Sequence, residues 1–398
     1  MVNLKRRKGK MIDFEYVNPA RIIFGEKPYE RVAEQLKQNQ VSSLLMVYSG
    51  EYVKTLGIYH EVEKICKNLG IKFVSNGSVV PNPKIELVRE LIEVGRENNT
   101  DFILAVGGGS SVDTAKAVAL GIKYDGDVWD FFLGKAEAKG ALPIGVITTI
   151  PASGSETSNA SIISNGLSKL GFESELIIPR FAVMNPHYTM TLPAYQTACG
   201  ISDILSHLLE RYWTNTEHVD TTDYLIEAAV RAVLLNGERL VKNPTDYNAR
   251  AEIQWLASIA HNNLLNTGRQ DDWASHRVEH EVSAQYGVTH GEGMAVVMLA
   301  YVKYCAENHP KKMAQFANRV FDIDYANYSE KDMVLVLAEK LEQFYKKLNL
   351  KTTLAEMNID ETHFSEMADR ATKNGTCTVG HYYPLDKERF IEVLKLAL

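Results

Sequence analysis

Asp101-Phe102-Ile103-Leu104-Ala105-Val106-Gly107-Gly108-Gly109-Ser110-Ser111-Val112-Asp113-Thr114-Ala115-Lys116 decides the class of the fold. Its first six residues read as a buried strand, three glycines follow, and Ser111 to Leu120 reads as a helix. A strand that turns through glycine into a helix offers backbone N–H groups and a positive helix end to an anion, and glycine lets a pyrophosphate approach closely. Ser110 is placed to cap that helix. The order strand, loop, helix favours a dinucleotide over a plain tight turn, although Val112 stands where a G-x-G-x-x-G motif would have its last glycine.

The same alternation extends on both sides. Ser43 to Tyr48, Lys72 to Val74 and Pro143 to Thr148 read as strands, and Ile58 to Leu69 and Ile85 to Asn98 as helices. Strands alternating with helices imply a parallel sheet covered on both faces, with ligands at the carboxyl ends of the strands. Two more strand ends join the glycine loop there: Tyr48-Ser49-Gly50-Glu51, and Thr148-Thr149-Ile150-Pro151-Ala152-Ser153, which offers hydroxyl donors. Either stretch also reads as an ordinary polar turn. Lys169 reads, taken alone, as a solvated surface lysine or as a ribose or phosphate contact.

Beyond Leu192-Pro193 the strand signals stop. Gln196–Trp213, Thr221–Val241, Tyr247–Leu264, Gly293–Asn308, Lys331–Leu348 and Lys387–Leu396 all have helical spacing. The expected organisation is therefore a basic, disordered leader over 1–10, an α/β dinucleotide-binding domain over 11–193, and an all-α metal-binding domain over 194–398, with a cleft between the two domains.

The helical half carries the second chemical signal. Asp203 and His207 are four apart in a run with helical spacing and so share a helix face; His276 and His280 are also four apart. His290 stands before Gly291, where another helix begins. Any one of these is more often a satisfied core or surface residue than a ligand. Together, in a stretch rich in Leu, Ala and Val, they form a ligand set for a divalent transition metal, because buried imidazole and carboxylate cost free energy unless paired or metal-bound.

Composition bounds the rest. The 398 residues are 45% hydrophobic and 23% charged, ordinary for a globular enzyme of two domains. Lys+Arg of 43 against Asp+Glu of 50 gives a net charge of −7, which disfavours nucleic acid as a partner. No apolar run approaches a membrane span and no signal-peptide pattern opens the chain. Cys66, Cys199, Cys305 and Cys377 are scattered, which fits reduced thiols in a cytoplasm.

The glycine loop with Asp113 and Lys116, then Ala152-Ser153-Gly154-Ser155-Glu156, Thr191-Leu192-Pro193, Asp203/His207 and His276/His280/His290 stand in the order of the iron-containing alcohol dehydrogenases. From Met11 to the C-terminus the chain resembles that family, and within it the NADPH-dependent butanol dehydrogenase or aldehyde reductase branch. The resemblance implies a Rossmann-like domain followed by a helical one, and a homodimer. It implies Asp203, His207, His276 and His290 as metal ligands, with His280 beside substrate and nicotinamide. By the same resemblance Gly107, Gly108, Gly109 and Ser110 hold the pyrophosphate, with Asp113 in the same motif. Thr148, Thr149, Ser153 and Lys169 flank the ribose and nicotinamide, and Ser49 and Gly50 lie beside the adenosine ribose. Relatives that prefer NAD resemble one another in carrying an acid at the position of Gly50, so its absence favours NADP over NAD; Glu51 next door weakens that inference. Asn185-Pro186 departs from the Asp-Pro of many relatives.

These readings imply reversible hydride transfer between NAD(P)H and a short-chain aldehyde such as butanal, with His280 as the candidate for proton delivery. Four N/O ligands would nearly close a tetrahedral zinc site and leave room on an ion that takes five or six, which favours Fe2+ over Zn2+. Three alternatives compete. A lyase resembling dehydroquinate synthase should show a cluster of cations near the ligands, where Arg277 is the main one. A non-catalytic NADP or metal sensor would bind without turnover. A metallohydrolase would leave the glycine loop unexplained.

Overall fold

The computed structural model describes residues 10–26 and 29–398. The expected basic leader lies outside the described residues except for Lys10. Among the described residues eight strands occur: β1 (Arg21–Phe24), β2 (Ser43–Tyr48), β3 (Lys72–Asn76), β4 (Phe102–Gly107), β5 (Ile144–Thr148), β6 (Ala160–Asn165), β7 (Ser168–Glu173) and β8 (Phe181–Met184). Six of them form one parallel sheet in the order β1-β8-β5-β4-β2-β3. β2, β4, β5 and β8 are buried along their whole length. That is why their sequences are continuous apolar runs rather than alternating ones.

The chain leaves β2 for β3 on one side and β4 on the other. The strand order therefore reverses between β2 and β4, and the crevice at their carboxyl ends is where such sheets take ligands. Ser49-Gly50 and Gly107–Ser110 sit at that crevice.

β6 and β7 form an antiparallel hairpin outside the main sheet. Neither the hairpin nor the short β1 and β8 is anticipated by the apolar periodicity. β6 and β7 mix Ser, Lys and Gly with apolar residues, and β1 and β8 are four residues each.

From Ala194 onward the chain is helical, apart from short turns, and buries one continuous core separate from the two that line the sheet faces. Among the described residues no helix is long and apolar enough to cross a membrane. The α/β part and the helical part meet along the helix Tyr247–His261. Gln254 Nε2 donates to Thr148 O at the end of β5 (3.4 Å), and Ser258 Oγ donates to Glu156 (2.5 Å).

Candidate active site

At the sheet end, the helix after β4 begins at Gly109, not at Ser111. Ser110 therefore lies in its first turn. The N-cap is Gly108, with no side-chain capping bond, which corrects the expected role of Ser110. The glycines are required by geometry. Gly107 has φ +146°, and a Cβ there would run into Ser111 and come within 3.0 Å of Ser49 Oγ. A Cβ on Gly109 would collide with the Ser153 hydroxyl. The first-turn amides of such a helix have no partner within it and stand ready for an anion.

Around the loop, Tyr52 OH lies 3.2 Å from Ser49 Oγ and 3.0 Å from Thr149 Oγ1, tying two strand ends together. Thr148 Oγ1 is buried without a hydrogen-bond partner. Asp113, in contrast, faces the interior. It accepts from Ser155 Oγ (2.6 Å) and from the amide of Ile162 (3.2 Å), so its carboxylate is spent holding the β5–β6 connection.

At the helical end, helices Ala194–Tyr212, Ala274–Tyr286 and His290–Asn308 converge. Gly291 makes that possible, because a Cβ there would strike the backbone of Cys199. Asp203 Oδ1 lies 3.6 Å from His207 Nδ1, 3.9 Å from His276 Nε2 and 3.5 Å from His290 Nε2. These separations are too long for hydrogen bonds and suit atoms grouped around one ion. Asp203 Oδ1, His207 Nδ1, His276 Nε2 and His280 Nδ1 are all buried with no partner.

Leaving several such atoms unmade is costly unless a ligand completes them, and a carboxylate with three imidazoles is the donor set of a transition metal. The residues fit the ion. Asp203, His276 and His290 form one trio whose ligand atoms lie within 4.8 Å of one another; His207 reaches Asp203 and stacks on His276, with ring centroids 4.7 Å apart. A second trio, Glu279, His280 and His290, is also close enough for a cation. Glu279, however, already takes bonds from Ser283 and His290.

Two carboxylates missing from the sequence reading orient these rings. Glu210 contacts His276 Nδ1 with one oxygen, and its other oxygen accepts from the amide of Ser275 (2.6 Å). It thus takes the place of a cap on a helix whose preceding residue, Trp273, has none. Glu279 contacts His290 Nδ1 and lies 3.6 Å from Lys169 Nζ. Both acids fix their histidine so that Nε2 faces Asp203, the role of outer carboxylates at metal sites.

The signals were available. Glu210 lies seven residues after Asp203, hence on the same helix face, and Glu279 lies between His276 and His280. Lys169 is buried on β7 with its Nζ 3.5 Å from His290 Nδ1, which corrects the reading of a solvated surface lysine.

Burial pushes the His207 imidazole down, and nearby His261 and His276 add to this. His280 is pushed down by burial and then by Lys169 and His290. Both rings are thereby held in the neutral form near pH 7. Burial also pushes His276 down, but Glu210 and Asp203 outweigh it and hold it up at about 9. For Glu279, His290 and Lys169 outweigh burial and bring it down to about 2.

The two ends touch. His261 Nδ1 donates to Ser153 O (2.6 Å), and its ring lies 4.5 Å from that of His207. The sequence order of these parts is matched by known proteins. Residues 19–186 match the family described as iron-containing alcohol dehydrogenase, and residues 197–398 its C-terminal part.

The chain belongs to the iron-containing alcohol dehydrogenase family.

Relatives within the family include a probable NADH-dependent butanol dehydrogenase of Bacillus subtilis, 35% identical over 98% of this chain and 100% of its own length. An NADPH-dependent aldehyde reductase of Escherichia coli is 31% identical over 96% of this chain and 99% of its own. The crystal structure of NADH-dependent butanol dehydrogenase A from Thermotoga maritima superposes with a TM-score of 0.93 at 34% identity, covering 98% of this chain and 99% of that one. The parallel sheet followed by a helical domain is the architecture of this family.

Proposed function

We propose that this iron-containing alcohol dehydrogenase reversibly transfers a hydride between NAD(P)H and a short-chain aldehyde. Asp203, His207, His276 and His290 would hold Fe2+, and Gly107–Ser110 the pyrophosphate. The observation that carries it is the contact between the two ends of the site, from the glycine loop through Ser153 and His261 to His207. Chemistry at a carbonyl needs the nucleotide and the ion on the same few ångströms of substrate, and that contact supplies the adjacency.

When bound, a divalent ion supplies Lewis-acid polarisation of a carbonyl, and a reduced nicotinamide supplies the hydride. The chain's own side chains do the rest. Glu210 and Glu279 keep the lone pairs of His276 and His290 turned inward. His280 has an unpartnered Nδ1, and its ring is 5.6 Å from that of His290. It is therefore the group placed to accept or relay a proton at the substrate oxygen. Lys169 sets a buried cation on the same side.

Gly50 carries no acid to repel a 2′-phosphate, and Glu51 spends its charge at the surface on Lys54 (3.1 Å), so NADPH is the favoured donor. The relatives' butanol dehydrogenase and aldehyde reductase names extend to this chain as a proposed butanal/butanol activity in a cytoplasmic homodimer. The test is a steady-state assay with NADPH and NADH against an aldehyde series, on protein stripped of metal and reloaded with Fe2+ or Zn2+. Turnover restored by Fe2+, with NADPH ahead of NADH, is the expected result. NADPH binding without turnover under any metal would make the chain a sensor.

A further inference from the structure

Trp273 is the N-cap of the helix that carries His276, and a large aromatic residue is unusual there. Its φ of +70° lies in the left-handed region, where a bulky side chain is an outlier and glycine is at ease. It offers the helix no side-chain cap, and Glu210 accepts the amides of Ser275 (2.6 Å) and His276 (3.3 Å) in its stead. Such strain persists only where the surroundings over-determine it. Asp272, just before, supplies that constraint. It is buried, its amide donates to Glu210 O (3.0 Å), and its Oδ1 accepts from the amides of His381 (2.7 Å) and Tyr382 (2.9 Å).

The contacts of the indole give the strain a purpose. Its ring lies 5.0 Å from that of His276 and 5.9 Å from that of His207, at interplanar angles of 67° and 65°. Edge-to-face contacts of this kind are favourable. The indole is itself held in place. Nε1 donates to Asp271 Oδ2 (2.6 Å), which also accepts from Asn266 Nδ2 (2.7 Å), and the Arg211 guanidinium lies over the ring at 4.7 Å. With His261, whose ring is 5.7 Å away, Trp273 also lines a cavity of about 240 Å³ that none of the four proposed ligands lines. The two rings part the ligands from that space.

The three histidines of the ligand set are not held alike. His276 has Glu210 and His290 has Glu279 on the ring nitrogen away from Asp203. Among the described residues His207 has no such carboxylate, and packing on His276, His261 and Trp273 sets its ring.

We infer that Trp273 is a positioning residue of the metal centre: its indole holds the His207 and His276 rings in their ligating orientation and closes the site toward the neighbouring cavity. The inference rests on the ligand set of the reading above. The apolar shell of a metal site governs both ligand orientation and access of water, and a strained backbone is the cost of placing an indole at this point.

The test uses Co2+ as the probe, loaded into protein stripped of metal, because its visible absorption bands report ligand geometry and entry of water. Wild type is compared with Trp273→Gly, which relieves the backbone and deletes the ring, and with Trp273→Phe, which keeps a ring. Trp273→Leu, which fills space without an aromatic face, takes the place of the glycine variant should circular dichroism show that one unfolded. The bands are expected to shift and weaken in Trp273→Gly, with release of Co2+ to a chelator about 10-fold faster or more, and Trp273→Phe should recover most of both. A folded Gly or Leu variant with wild-type bands overturns the proposal. So does a Phe variant as impaired as those two, which would put the role in the Nε1 bond to Asp271 and not in the ring.

Wild type that takes up no Co2+ sinks the ligand set and this inference with it. Bands that change as expected in a protein that turns over no aldehyde support the role of Trp273 and sink only the oxidoreductase.

Discussion

The two ends of the site are made of different material. At the carboxyl ends of β2, β4 and β5 the chain offers backbone amides, glycines and small hydroxyls, and the nearby buried charges of Asp113 and Lys116 are both taken up by hydrogen bonds, sharing Ser155 between them. At the helical end it offers buried carboxylate and imidazole atoms with nothing to bond. A surface made of backbone survives the loss of any one side chain and binds in proportion to how closely a ligand approaches. A cluster of side chains depends on each atom. Substitutions at the helical end should therefore act as switches, and those at the sheet end as adjustments.

The widest gap should come from His276→Ala. It removes one of the four proposed ligand atoms and leaves Glu210 buried without its partner ring. Metal content, measured on the purified protein by mass spectrometry, should fall to background, and turnover should drop by on the order of a thousandfold or more. NADPH binding should remain, because no residue of the glycine loop touches His276. Unchanged metal content would remove His276 from the ligand set and dissolve the contrast between the ends. Glu210→Gln, which keeps every ligand, sharpens it: metal affinity should fall by about 10- to 100-fold in competition with a chelator.

At the sheet end the buried charges can be read through pH. Lys116 Nζ lies within hydrogen-bond reach of Ser155 Oγ (3.0 Å), Ser158 O (2.9 Å), Ser158 Oγ (3.2 Å) and Ala160 O (2.8 Å), and its protons, shared among these acceptors, pin the β5–β6 connection under the loop. Burial lowers its pKa from 10.5 to about 8, against the pull of Asp113 and Glu156. Between those values the unfolded chain holds a proton that the folded one has given up. Stability therefore rises with pH across that window, by up to about 3 kcal/mol. Urea midpoints of wild type and Lys116→Met, followed from pH 7.5 to 10.5, should diverge in slope, the variant lacking this rise. Parallel curves would mean that Lys116 titrates as an exposed lysine does.

Much of this was open to a reader of the sequence, for identifiable reasons. β2 and β4 lie within one residue of their expected bounds, because a fully buried strand must be apolar throughout. Six helices of the second half likewise follow from spacing, to within a few residues at their ends, whereas Ala274–Tyr286, Lys311–Phe321 and Phe364–Ala371 were not read from it. The β6–β7 hairpin was not legible. Its residues are ordered by contact with the helices Gly109–Ile122 and Ala274–Tyr286 rather than by their own pattern, and the second of these contacts helps bury Lys169. Ligand candidates could be found from four-residue spacing. Glu210 and Glu279 could not be given roles, because a buried acid and a solvated one look alike until the partner ring is placed. His261 and Arg211 belong to the same class: their meaning depends on which helix lies across from them.

The smallest expected effect concerns cofactor choice. Gly50 follows β2 with φ +71°, a conformation that Asp and Asn tolerate better than most residues. A Cβ there would lie 3.2 Å from the Tyr52 ring, so the ring must yield by a few tenths of an ångström. Because Tyr52 OH reaches Ser49 and Thr149, some loss with both nucleotides should follow from shape alone. Gly50→Asn measures that loss without adding charge. Gly50→Asp adds a carboxylate beside the adenosine ribose, where it would accept from a 2′-hydroxyl and repel a 2′-phosphate. The ratio of kcat/KM for NADH over NADPH should rise by about 10-fold in Gly50→Asp relative to Gly50→Asn, a difference of about 1.4 kcal/mol. Equal ratios in the two variants would place the 2′ position away from Gly50, and the sheet end would then owe its choice of nucleotide to another strand end.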